Sequence, residues 1–399
     1  MYKSIPVTEA LHWVGALDPE LRGFDITMHT KYGTTYNSYI LQGTQKTVLF
    51  ETVKEKFFDE FLERIKSVTD PANIDIAIIN HTEPDHSGAL RRLLELYPNI
   101  EVLASPTAIG LLGNIINHSF KRRVMKHGDT LDIGEKTLEF TLVPFMHWPD
   151  TMFTYIRECQ ILVTCDGFGS HYASTKIFND ELEPSEYEDY LEAYRHYFNC
   201  LMSPFKQHVL DGLSKIQNLE ISTICNAHGP IVRRDIPRMI ELYRSWATPI
   251  KKERKRIIIA YVSVYSYTRN LAEHIRDGIK ADCDLDVKLY DLVERGLEEV
   301  LEDVENSDGL LVGSPTLVGD TLPPVWALLA RLNPFTHKHL VVGAFGTYGW
   351  SGEAVPNIES RFDQLKLKRP LEGLRIVLRP SEEDISKAHN FGKRFASLI

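Results

Sequence analysis

Four residues within six positions, His81, Glu83, Asp85 and His86, each carry a lone pair that a cation can accept. Imidazole and carboxylate are donors for first-row divalent metals. All four follow the apolar run Ile74 to Ile79, in the stretch Asn80-His81-Thr82-Glu83-Pro84-Asp85-His86-Ser87-Gly88. Alternate residues of an extended segment share a side, so His81, Glu83 and Asp85 converge while His86 turns elsewhere past Pro84. That pattern points to two adjacent metal ions. The competing reading is a solvated turn after a core strand, the common fate of a single His or Asp. Four donors in six residues favour the metal.

The elements that must position such donors recur along the chain. Ile74 to Ile79 has the short, β-branched character of a buried strand, which Pro84 and Gly88 forbid from continuing. Leu138 to Met146 stops at His147-Trp148-Pro149-Asp150, and Ile161 to Thr164 stops at Cys165-Asp166-Gly167. Ile221 to Cys225 ends in Asn226-Ala227-His228-Gly229-Pro230. Taken singly, His147 reads equally well as a histidine bonded to a carbonyl, Asp166 as a turn former and His228 as a cap. Their shared place, the carboxyl end of a strand with Gly or Pro behind it, lets them meet at one sheet edge. Around them the chain alternates hairpin-like strands near residues 12, 40 and 49 with an amphipathic helix over Glu55 to Ser67. Helices are also predicted over Ala89 to Tyr97, Pro106 to Asn117 and Tyr187 to Leu201.

A basic run, Lys251 to Arg256, marks a break in composition. The near-continuous apolar strand that follows, Ile257 to Val262, suits the centre of a parallel sheet. It runs into Ser263-Val264-Tyr265-Ser266-Tyr267-Thr268 and a predicted helix over Arg269 to Lys280. Hydroxyls and free amides at a helix start cradle phosphate. No Gly-x-Gly-x-x-Gly and no Walker lysine accompany them, which argues against a dinucleotide or a triphosphate. Val287 to Leu289, Gly309 to Val312, Leu340 to Ala344 and Leu374 to Leu378 alternate with helical segments and complete a five-stranded doubly wound sheet. Ligands of such sheets bind at the carboxyl ends of the strands. Two loops are expected there: Ser314-Pro315-Thr316-Leu317-Val318-Gly319, and Phe345-Gly346-Thr347-Tyr348-Gly349-Trp350. Their glycines permit close backbone approach, and Tyr348 and Trp350 offer flat faces to a planar ring.

A chain of 399 residues exceeds one ordinary core. The expected division is residues 1–248, a linker at 249–255, and residues 256–399. Hydrophobic residues at 43% and charged residues at 25% describe a globular protein, and a net charge of -10 gives no support for a nucleic-acid partner. The five cysteines are scattered, with no Cys-x-x-Cys pair, so neither a disulfide framework nor a cysteine-held cluster is expected. Neither a signal sequence nor a membrane span is recognisable, and the expected location is the cytoplasm.

The first half resembles the metallo-β-lactamase superfamily, an αββα sandwich whose zinc signature is His-x-His-x-Asp-His. Glu83 stands where the second His of that signature would be, as in the flavodiiron variant. The second half resembles flavodoxin. Together, from the His81 loop through Asn226-Ala227-His228-Gly229-Pro230 to Tyr348-Gly349-Trp350-Ser351-Gly352, the chain resembles the flavodiiron proteins, also called A-type flavoproteins or rubredoxin:oxygen/nitric oxide oxidoreductases. The resemblance implies one iron held by His81, Glu83 and His147, a second held by Asp85, His86 and His228, and Asp166 bridging. It implies that His171 supports a ligand or the bound gas through its ring.

It also implies FMN, its phosphate on the turn Ser263 to Thr268 and its ring against the two later loops. Two irons hold two electrons and the flavin two more, enough to take dioxygen to water or paired nitric oxide to nitrous oxide; zinc serves neither. The donor is expected to be separate, since nothing rubredoxin-like follows Ile399: rubredoxin, a flavin reductase or a reduced deazaflavin. A head-to-tail homodimer or dimer of dimers is expected, bringing one subunit's FMN beside the other's metals. Where some relatives carry a His near the open metal positions this chain has Phe24-Asp25-Ile26, which leaves the two gases undivided with a slight lean to dioxygen. The rivals are a zinc hydrolase using metal-bound hydroxide and a one-electron carrier with a structural first domain.

Overall fold

The computed structural model describes residues 2–25, 28–249, 253–281 and 284–399. Ile26, the linker positions 250–252 and Cys283 lie outside the described residues. The chain divides into two compact units, residues 1–249 and 250–399.

The first unit stacks two sheets. One has seven strands in the order Ile5–Pro6, Leu11–Trp13, Tyr39–Gln42, Thr47–Phe50, Ile76–Ile79, Glu101–Ala104 and Lys121–Val124. The other has five: Thr130–Asp132, Thr137–Leu142, Met152–Ile156, Ile161–Cys165 and Thr223–Asn226. Side-chain alternation decides what each face meets. Ile76 and Ile78 join Leu138, Phe140 and Val163 in the core between the sheets. Ala77 and Ile79 point the other way, onto the helices Phe58–Lys66, Leu90–Leu96 and Pro106–Ile116. The helices Pro184–Tyr197, Lys206–Ile216 and Ile236–Ala247 cover the outer face of the second sheet. Buried on both faces, the central strands read as apolar runs, and the architecture is the αββα sandwich.

The second unit is a five-stranded parallel sheet in the order Asp286–Asp291, Arg256–Tyr261, Gly309–Gly313, Val341–Tyr348, Leu374–Val377. In chain order this is 2-1-3-4-5, the flavodoxin-like winding, with the switch point beside the first strand. Ile257 and Ile259 pack with Leu271, Ile275 and Phe395 on one face. Ile258 and Ala260 pack with Val300, Leu328 and Ile358 on the other.

Two local readings need correction. The stretch after Ile79 is not extended: Pro84–Ser87 forms a helical turn, with Pro84 in its first turn after Glu83. Proline's fixed φ favours that position, and the turn separates Asp85 from His81 and Glu83. Phe345 to Tyr348 belong to the strand Val341–Tyr348 rather than to the loop after it. Among the described residues no helix is long and apolar enough to cross a membrane.

Candidate metal centre

Four strand ends deliver the donors. His81 follows Ile76–Ile79, Asp166 follows Ile161–Cys165 and His228 follows Thr223–Asn226, while His147 lies on the connection from Thr137–Leu142 to Met152–Ile156. They gather into two groups. In the first, His81 Nε2 is 3.2 Å from Glu83 Oε2 and 3.3 Å from Asp166 Oδ2, and His147 Nε2 is 3.4 and 3.2 Å from the same two oxygens. In the second, His86 Nε2 is 3.3 Å from Asp85 Oδ1 and 3.1 Å from Asp166 Oδ1. His228 Nε2 is 3.1 Å from Asp85 Oδ2 and 3.4 Å from Asp166 Oδ1. One oxygen of Asp166 faces each group, so a single carboxylate spans both.

The donor set fits a pair of cations. Both oxygens of Asp85, both nitrogens of His86 and Asp166 Oδ1 are buried without a hydrogen-bond partner. Nitrogen and oxygen approach closely there yet do not align as donor and acceptor, as expected where lone pairs converge on a common point. Donor atoms within each group lie within 4.8 Å of one another. Three buried carboxylates also require positive charge. Burial pulls the His86 imidazole down, but Asp85 and Asp166 outweigh it and lift the group to about 9. Burial likewise opposes the His81 shift, yet Asp150, Glu83 and Asp166 hold that imidazole well above its ordinary range. Burial raises Asp166, and His86, His147 and His81 overcome it and carry it well below the carboxylate range. Protons on these imidazoles do the neutralising that metal ions perform when bound. Cys165 also neighbours His86 and Asp166, but burial pushes its thiol well up. The protonated sulfur is a poor ligand.

A second layer of residues orients the donors. His228 Nδ1 donates to the Thr35 carbonyl at 2.6 Å, and His81 Nδ1 is 3.3 Å from Asp150 Oδ1. Each bond leaves Nε2 free for a metal. Asp150 Oδ2 also accepts from the Thr82 amide at 2.8 Å. His171 stands outside both donor groups. Its Nδ1 pairs with Thr34 Oγ1 at 2.8 Å, its Nε2 has no partner, and its ring lies 5.0 Å from His228 and 4.9 Å from Tyr197. Burial and then His228 push its pKa well down, so it is a neutral imidazole. Phe24 packs 4.5 Å from the His171 ring. Beside it the Asp25 carboxyl is raised by burial and by Glu83 and Asp85.

Sequence reasoning assigned no role to Asp150, Thr34, Tyr197 or Glu51. Asp150 had a signal, its place in the His147 loop. Thr34 had none, being 137 positions from the His171 it bonds. Glu51 accepts from the Asn80 amide at 2.9 Å, and burial lifts its carboxyl to about 7.

In the second unit, Ser263 to Thr268, Ser314 to Gly319 and Phe345 to Trp350 converge at the carboxyl ends of the first, third and fourth strands. The first-turn amides of Tyr267–Lys280 have no partner within the helix. Thr268 Oγ1 lies 2.9 Å from Thr347 Oγ1, tying the first loop to the fourth strand. The Leu317 and Asp320 amides bond each other's carbonyls at 3.1 Å, and Gly319, at φ +72°, closes that turn. Val318 and Trp350 are 98% and 94% exposed and Tyr265 is 74% exposed, so this edge presents uncovered apolar faces suited to a planar ring.

Two family models match the chain: the ODP family beta lactamase over residues 34–229 and flavodoxin over residues 259–392. The flavo-diiron protein FprA2 of Clostridium acetobutylicum is 40% identical over 401 residues, covering 99% of this chain and 100% of the relative. The nitric oxide reductase of Moorella thermoacetica is 35% identical over 404 residues, covering all of both chains. Among solved structures, the rubredoxin oxygen:oxidoreductase of Desulfovibrio gigas aligns with a TM-score of 0.72 at 27% identity, covering 99% of this chain and 98% of that one. Matched along its whole length by such relatives, with a donor set in its first unit that fits two metal ions and a flavodoxin-like sheet in its second, the chain belongs to the flavodiiron proteins, oxidoreductases whose fold implies FMN and a diiron centre.

Proposed function

We propose that this protein reduces dioxygen to water, nitric oxide to nitrous oxide, or both, with electrons delivered through FMN from an external donor. The observation that carries the reading is the single carboxylate, Asp166, presenting one oxygen to each of two buried donor groups. Residues 1–248 serve as the diiron domain, 249–255 as linker and 256–399 as the FMN domain. His81, Glu83 and His147 hold one iron, Asp85, His86 and His228 the other, and Asp166 bridges. When bound, the iron pair and the flavin supply two electrons each.

The chain's own groups do the rest. Asp150 and the Thr35 carbonyl fix the tautomers of His81 and His228, so that both present Nε2. Neutral His171, anchored by Thr34, directs an unpartnered Nε2 into the buried pocket, where it can bond a ligand or the gas. Phe24 and Tyr36, ring to ring with His228, keep water out. Ser263 to Thr268 take the FMN phosphate, and Ser314 to Gly319 with Phe345 to Trp350 flank its ring. The relatives named nitric oxide reductase and rubredoxin oxygen:oxidoreductase support both gases, and the second name supports rubredoxin as one donor. A flavin reductase or a reduced deazaflavin is an alternative donor to the same FMN. A head-to-tail homodimer, alone or paired, completes the proposal by setting one subunit's flavin against its partner's metals.

Anaerobic titration tests the electron store. Protein with two irons and one FMN per chain is expected to take up four electrons and return them to dioxygen. A store of one electron, or a zinc-loaded protein that hydrolyses esters, would favour the carrier or the hydrolase instead.

A further inference from the structure

Reducing dioxygen to two waters consumes four protons, and reducing two nitric oxides to nitrous oxide and water consumes two. Apart from the half-buried Glu83, the metal donors and His171 are buried, so protons that reach the Asp166 side must cross protein. The helix Pro184–Tyr197 carries Tyr187, Tyr190, Tyr194 and Tyr197 at spacings of three and four, along one face. The helix Ile236–Ala247 sets Tyr243 against them. Ring centroids step 5.8 Å from Tyr187 to Tyr190, 5.9 Å to Tyr194 and 5.1 Å to Tyr243, and Tyr197 lies 4.9 Å from His171.

Phenylalanine would fill these positions without bringing a polar atom inside. Instead the hydroxyls of Tyr190, Tyr197 and Tyr243 are buried with no hydrogen-bond partner in the chain. Proteins rarely leave such groups unpaired, and ordered water is the usual remedy. At the inner end Tyr197 neighbours Asp166 and Tyr243, whose charges act on its hydroxyl, and its ring packs against His171. At the outer end Tyr187 Oη is 3.5 Å from Asp235 Oδ2, a carboxylate 43% exposed that also pairs with Arg234.

We propose that these hydroxyls, with that of Tyr194 and bridged by buried water, conduct protons from Asp235 at the surface through Tyr187, Tyr190, Tyr194 and Tyr243 to Tyr197 and the Asp166 side of the metal pocket. The proposal rests on the gas-reducing reading above. A hydroxyl both donates and accepts, so each passes its own proton inward as it takes one from outside. No residue is left charged, and rotation of the hydroxyls resets the file.

Two measurements on the full chain test it. A high-resolution crystal structure is expected to show water within hydrogen-bonding distance of the Tyr190 and Tyr243 hydroxyls; dry hydroxyls would overturn the path whatever the gas chemistry. Second, iron-loaded, fully reduced protein is mixed with dioxygen while an indicator dye follows proton uptake. Tyr190→Phe and Tyr243→Phe keep their rings, iron and FMN, and are expected to slow uptake by at least about tenfold with a larger solvent isotope effect. Tyr32→Phe serves as the control, because Tyr32 bonds a different surface carboxylate, Asp189, at 2.7 Å. Unchanged uptake in both Tyr→Phe variants, or slowing in Tyr32→Phe alone, overturns the path and leaves the reading intact. A wild-type protein that consumes neither gas overturns both, and is recognised by being inert before any substitution.

Discussion

Asp150 and Glu51 carry the tests at the scale of single residues. Asp150 touches no metal position directly but holds His81 through Nδ1 and bonds the Thr82 amide. Asp150→Ala is expected to weaken iron binding about 10- to 100-fold, measured by competition with a chelator, with FMN content unchanged. Glu51 is fully buried and its carboxyl is raised from 4.5 to about 7. A raised carboxyl favours the folded state at acid pH, and that contribution is lost as pH rises from the ordinary glutamate value through about 7. In metal-free protein the loss amounts to roughly 3 kcal/mol. Urea unfolding of wild type and Glu51→Gln at pH 5 and pH 8 checks this. The wild type should lose more stability than the variant between those pH values, and parallel losses would rule Glu51 out as the cause.

The ligand loops are the working elements, and backbone space decides whether they hold their side chains. Gly229, directly after His228, has φ +79°, and an added Cβ would stand 2.0 Å from Ser170 Oγ and 2.6 Å from the Ser170 carbonyl. Gly229→Ala is therefore expected to cost about 1–3 kcal/mol and to displace His228. Metal analysis should show preferential loss of one ion, and full occupancy would show that the loop absorbs the strain. At this scale the strand ends were legible in the sequence, because Ile76–Ile79 and Ile161–Cys165 are largely apolar runs and these two and Thr223–Asn226 all have Gly or Pro behind them. The path between His81 and His86 was not, since a Pro that breaks a strand also starts a helix, and only the resemblance separated Asp85 from His81 and Glu83. The Thr34 to His171 bond could not be read at all, because neither periodicity nor a local motif joins residues so far apart. In the second unit the loop expected over Phe345 to Trp350 begins later, as Phe345 to Tyr348 still pair in the sheet.

At the scale of the whole molecule, each unit has its own cores. Residues 1–249 pack around and between two sheets, and residues 250–399 pack on either side of a third. A ligand that binds only the folded form stabilises the unit that holds it. Removing iron is expected to lower one calorimetric transition and removing FMN a different one; a single transition displaced by both would show that the units unfold together. As a whole, the chain is proposed to join an electron store to a gas-reducing metal pair. That proposal is tested most directly by stopped-flow mixing of fully reduced protein, its iron and FMN quantified per chain, with dioxygen and with nitric oxide. Iron-loaded protein is expected to consume at least one gas rapidly and zinc-loaded protein none; equal consumption by both forms, or by neither, would overturn the proposal.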